Sequence, residues 1–189
     1  LGLAGVQIGT NVNGVNLGDP SLFEVFAAAE ALGAAVFVHP WDMLGKQPDG
    51  SWGRLSEYWA AWLVGMPAET CLALCSVLMS APLEKLPRPR LGFAQGGPSF
   101  PRPVPRLEHG FHARPDLCQT DTKLSPREHL AGPTTPARFY VDSLTHDPDT
   151  LRTLLRLLGP ERIALGSDYP FPLGEDVPGA MIKAMPDLT

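Results

Sequence analysis

The 189 residues contain no run of basic charge: fifteen Lys and Arg are scattered among twenty Asp and Glu, for a formal net charge of −5. Without a basic stripe nothing can neutralise a phosphate backbone, so nucleic acid is not an expected partner. Long apolar runs are lacking too, since Gly, Pro or a charge interrupts each one before the length of a membrane span, and the opening residues carry no basic, apolar, small-residue signal. A cytosolic protein without membrane association is the expectation. Cysteine is scarce, with three in all. Cys71 and Cys75 lie four apart on a helical pattern and Cys118 stands by itself. That set gives no disulfide framework, and no second pair or nearby His makes it a metal site, so reduced, buried thiols are expected.

What is present is ordinary for a globular protein: 44% hydrophobic and 19% charged residues, enough chain for one well-buried core. We expect one domain over residues 1–189. The first residue is Leu1 rather than Met, inside the strand-like run "LGLAGVQIG", which suggests a fragment.

Apolar runs at 3–9 ("LAGVQIG"), 34–40 ("AAVFVHP"), 90–97 ("RLGFAQGG") and 162–170 ("RIALGSDYP"), with a weaker one at 138–143 ("RFYVDS"), read as strands. Most are continuous rather than alternating, as in parallel strands buried on both faces. Helical patterns lie between them. Asp19-Pro20 opens one that Gly33 stops, Pro67 opens a second that ends near Pro82, and Asp147 or Asp149 caps a third that Gly159 stops. Repeated strand-then-helix units imply a parallel α/β sheet, either open and doubly wound or closed into a barrel. The proline-rich stretch from Pro98 to Pro136 is expected to be a loop with short helical pieces, covering the site or extended as polyproline.

In both architectures ligands bind at the C-terminal strand ends. His39, Gln95 and Asp168 sit at such ends, and Asp142 is a possible fourth. An imidazole at 39 and a carboxylate at 168 suit a borderline divalent metal such as zinc, although a lone strand-end His is more often a structural hydrogen-bonding group and a "SDYP" Asp a turn residue. Arg102, Arg106 and Arg114 follow the Gly-Gly turn as possible forks for a carboxylate or as solvated charges. Trp52, Tyr58, Trp59 and Trp62 form a cluster that could wall a pocket or pack a core.

The ordered motifs "AGVQIG", "VFVHPWDM", "YWAAWLVGMPAET", "FAQGG", "RPDLC" and "LGSDYPFPLGE" closely resemble one family, the 2-amino-3-carboxymuconate-6-semialdehyde decarboxylases of the amidohydrolase superfamily. The resemblance implies a (β/α)8 TIM barrel of the metal-dependent hydrolase type, with N-terminal strands missing from this chain. It also implies a homodimer with one catalytic zinc that removes CO2 from its substrate without oxidation. That substrate arises in tryptophan breakdown along the kynurenine route, and its removal limits quinolinate and NAD formation. By motif, His39 and Asp168 match zinc ligands, Asp168 also holding the activated water. Arg106 matches an arginine that clamps a substrate carboxylate across the dimer, Trp62 and Phe171 match pocket aromatics, and Met43 is expected near the substrate.

Two departures stand against full activity. The family's zinc needs a His-x-His pair on the first strand and an arginine near it, neither of which is in these residues. Gln95 occupies the place of the family's general-base histidine, and an amide has no titratable group. The alternative expectation is therefore an impaired or inactive relative that acts by binding or dimerisation.

Overall fold

A computed structural model describes residues 2–97 and 99–188; Leu1, Pro98 and Thr189 fall outside the described residues. The chain order is β1 (Gly5–Ile8), a hairpin of β2 (Asn11–Val12) and β3 (Val15–Asn16), α1 (Phe23–Ala31), β4 (Ala35–Val38), α2 (Met66–Leu78), α3 (Pro82–Lys85) and β5 (Leu91–Phe93). There follow α4 (Val104–Ala113), α5 (Pro115–Cys118), β6 (Tyr140–Asp142), α6 (Pro148–Leu158), β7 (Ile163–Ala164) and α7 (Ala180–Lys183). Five strands form one sheet in the order β1-β4-β5-β6-β7. Every neighbour pair is parallel, with Val36 opposite Leu91, Phe93 opposite Val141 and Asp142 opposite Ala164. Because every neighbour pair is parallel, the C-terminal ends of all five strands lie at one rim.

The expected helix signals hold where a side chain satisfies the free N–H groups of a first turn. Asp19 accepts from the Ser21 amide at 2.9 Å. Pro20 then begins a 3-10 turn that leads into α1. Asp147 caps α6 by accepting from the Thr150 amide at 2.7 Å, and Gly159 ends it at φ 85°. Along α6, Leu151, Leu154 and Leu158 recur at helical spacing and are buried. Leu154 and Leu158 join Val36, Val38, Leu91, Phe93 and Val141 from the strands and Ala73, Leu74, Val77 and Leu78 from α2 in one core cluster.

Three expectations are corrected. First, the strands are not buried on both faces: β4 alternates between half-buried and buried positions, and Val6 and Gln7 of β1 are exposed. Helices cover one face of the sheet, while Phe37, Gly92 and Tyr140 line up on a more open face. Second, the helix expected to open at Pro67 begins earlier. A π-helical turn, Ala61–Gly65, runs directly into α2, with the Met66 amide donating to the Ala61 carbonyl, so Pro67 lies inside a continuous helix just after a widened turn. The continuous Ala61–Leu78 segment has 18 residues and a mean hydropathy of 1.6, so by length and composition it could cross a membrane, although Gly65, Pro67 and Glu69 interrupt its apolar run. Ala73, Leu74, Val77 and Leu78 of this segment pack in the core cluster. Third, the proline-rich stretch is more helical than expected, because Pro103 and Pro105 stand at the start of α4 and Pro126 opens a 3-10 turn capped by Ser125 and Glu128.

The thiols are less buried than expected. Cys71, Cys75 and Cys118 are free and half-buried, and burial raises the Cys71 and Cys75 pKa values.

Candidate metal and substrate site

His39 directly follows β4, and its amide extends the ladder by donating to the Ile8 carbonyl at 3.0 Å. Asp168 lies beyond β7 at φ 52°, before a cis Tyr169-Pro170 bond. The shared rim brings these distant positions together: His39 Nε2 is 3.9 Å from Asp168 Oδ1, with both side chains mostly covered. One imidazole nitrogen and one carboxylate oxygen at that separation can share a single cation, so the pair fits two positions of a zinc site. Among the described residues no group of three or more His, Cys, Asp and Glu side chains gathers to complete such a site.

The pair opens into a cavity of about 270 Å³ that Met43, Trp52, Trp59, Trp62, Met66 and Phe171 line with largely apolar surface. Trp62 packs edge-on against Trp52, ring centres 5.5 Å apart, and lies stacked with Trp59 at 6.0 Å. The tryptophan cluster thus walls a pocket, whereas Tyr58 points outward and is exposed. A flat, conjugated ligand suits such a wall.

Gln95 lies next door. It lines a second hollow of about 240 Å³ that shares Trp62, Met66 and Leu173 with the first. Its side-chain amide donates to Met66 Sδ at 3.1 Å. The backbone here is left-handed at Gln95, Gly96 and Gly97 in succession, and a side chain on Gly96 would meet Thr145 Cγ2 at 2.8 Å. This explains the double glycine after β5.

Asp142, at the end of β6, holds that turn. Its Oδ2 accepts from the Gln95 amide at 2.8 Å, and its Oδ1 accepts from the amides of Gly96 at 2.7 Å and Leu144 at 3.0 Å. Burial pushes its carboxyl above the usual range, the three N–H bonds oppose that, and the nearby Asp168 charge adds to it. The chain just beyond β7 also packs closely on Asp142, since a side chain on Gly166 would come within 2.6 Å of Asp142 Cβ.

The segment carrying Met43 is fixed from beneath by Glu69 of α2, a carboxylate only 4% exposed. It accepts from the Leu44 amide at 2.9 Å and from Asn11 Nδ2 at 3.2 Å, while the same Asn11 nitrogen donates to the Asp42 carbonyl at 2.9 Å. Sequence reasoning missed Glu69, Lys46 and Met66; a carboxylate on the apolar side of a helix was the available signal for Glu69. Arg106 stands apart from both cavities, exposed on α4.

The amidohydrolase family profile matches residues 1–186. The 2-amino-3-carboxymuconate-6-semialdehyde decarboxylase of Dictyostelium discoideum is 51% identical over 189 residues, which is 100% of this chain and 49% of that protein. The chain therefore spans about half the length of this curated relative. Among solved structures, the 5-carboxyvanillate decarboxylase of Sphingomonas paucimobilis superposes with a TM-score of 0.70 at 24% identity, covering 89% of this chain and 48% of that one. A dihydroxybenzoic acid decarboxylase from a Polaromonas species, solved with bound manganese, gives a TM-score of 0.62 at 17% identity over 86% of this chain and 46% of its own. These two likenesses establish the barrel-type fold.

Proposed function

This chain belongs to the amidohydrolase family, and from that premise we propose that the complete protein containing it is a zinc-dependent, non-oxidative decarboxylase of 2-amino-3-carboxymuconate 6-semialdehyde. The observation that supports it most is the convergence of His39 and Asp168, 3.9 Å apart, on a pocket walled by tryptophans. Released CO2 leaves 2-aminomuconate semialdehyde, a step that draws tryptophan-derived material away from quinolinate and NAD. A cytosolic homodimer in which Arg106 reaches a neighbouring subunit's substrate completes the proposal.

His39 and Asp168 would hold the metal, which supplies Lewis-acid activation when bound. The tryptophan wall excludes water and stacks the planar substrate. Asp168 carries a carboxylate able to accept a proton or a hydrogen bond beside the reacting atoms. Gln95 orients through its amide and moves no proton. That last feature supports a second reading, a slow or inactive relative that retains the pocket.

The deciding experiment measures zinc content and CO2 release from the semialdehyde in the complete protein. The expected result is bound zinc with turnover in the parent, and loss of both in Asp168→Asn. A parent that neither holds zinc nor releases CO2 would sink the proposal.

A further inference from the structure

We infer that Lys46 recognises a carboxylate of a planar, conjugated acid bound against the tryptophan wall. Lys46 lines the cavity that His39 and Asp168 share, and among the described residues no other Lys or Arg lines it. An apolar aromatic slot with one ammonium suits a flat ligand that carries an acid group. The inference deepens the reading above and rests on it only for the identity of the substrate.

The position of Lys46 is built rather than incidental. Its segment is pinned by the bonds from Leu44 and Asn11 to buried Glu69, and the Lys46 amide donates to the Met43 carbonyl at 3.3 Å, closing a turn beneath the pocket. The ammonium meets Asp42 Oδ1 at 2.6 Å. Asp42 is itself 61% exposed, so its carboxylate can turn to water when a ligand carboxylate takes its place. An exposed pair of this kind contributes little by itself, which makes the exchange inexpensive. Facing the cavity with Lys46 are Asp168 and His39, a pair suited to a cation, so an entering acid would place one end toward Lys46 and its conjugated body along the rings.

The test uses the complete protein and isophthalate, a flat dicarboxylate, titrated by tryptophan fluorescence, with benzamide as the uncharged control. Lys46→Met is expected to weaken isophthalate binding about ten-fold while leaving benzamide binding and zinc content unchanged. Lys46→Arg retains most of the affinity, and Asp42→Asn strengthens binding by freeing the ammonium. With the semialdehyde, Lys46→Met raises KM far more than it lowers kcat. Equal isophthalate binding by parent and Lys46→Met, or no binding by the parent, overturns the inference. If Lys46 governs isophthalate binding in a protein that releases no CO2, the decarboxylase reading fails and this one stands.

Discussion

Asp142 grips the backbone of Gln95: its Oδ2 accepts from the Gln95 amide at 2.8 Å while its Oδ1 holds the next amide, Gly96, at 2.7 Å. The end of β6 thereby sets the left-handed turn beyond β5 and fixes where the Gln95 side chain starts. Whatever residue stands at 95 inherits that position.

Histidine at 95 is therefore expected to work. It tolerates positive φ better than most residues, and it restores a group that can take up a proton. In the complete protein Gln95→His is expected to raise decarboxylation by about 10² to 10⁴, the usual range for general-base assistance. Rates measured with matched zinc content check this, and no increase would mean that the defect lies elsewhere in the site.

Asp142→Asn removes one of two acceptor oxygens and turns an NH2 group toward the amide of Gln95 or Gly96. Losing a buried bond to a charged acceptor costs about 1 to 3 kcal/mol, partly offset by relief of the buried charge. A lowered midpoint in urea unfolding, with faster amide exchange at Gln95 or Gly96, is the expected outcome.

Glu69→Ala leaves the Leu44 amide without its acceptor and takes from Asn11 Nδ2 one of its two, the Asp42 carbonyl remaining. We expect a stability loss of about 1 to 3 kcal/mol together with faster hydrogen exchange at Leu44. Glu69→Gln, which keeps one acceptor, should recover part of both.

Acid is expected to loosen the packing around His129. This residue is fully buried, and among the described residues neither ring nitrogen makes a well-formed hydrogen bond. Burial lowers its pKa to about 4, with the Arg138 charge adding to the effect while Glu128, Glu84 and the Leu78 backbone oppose it. Since the unfolded chain takes up this proton near the ordinary histidine value of about 6.5, the stabilising effect is complete above that pH and is lost as pH falls toward about 4. The loss amounts to roughly 3 kcal/mol. Urea midpoints measured across that window, in parent and His129→Phe, should show the parent's slope reduced in the variant.

Much of the fold was legible in sequence because its signals are local. Asp19-Pro20, Asp147 and Gly159 act on neighbouring backbone groups, so the ends of α1 and α6 could be read without knowing what they pack against. The prolines of the 98–136 stretch misled for the opposite reason. Proline breaks a helix from within but starts one at its first turn, and only the surrounding chain decides which, as at Pro105 in α4. Likewise Pro67 was expected to open a helix, yet a π-helical turn from Ala61 to Gly65 already precedes it.

The site divides in the same way. Sequence by itself determined the chemical types present: an imidazole at 39, a carboxylate at 168 and an amide without a titratable proton at 95, each at a strand exit. Tertiary structure alone decided that the first two meet at 3.9 Å, that Gln95 turns toward Met66 in the adjoining hollow, and that Glu69 and Asp142 hold the frame. The physical reason is that strand-end placement follows from local pattern, whereas distances between side chains depend on sheet order, register and packing, which link residues far apart in the chain.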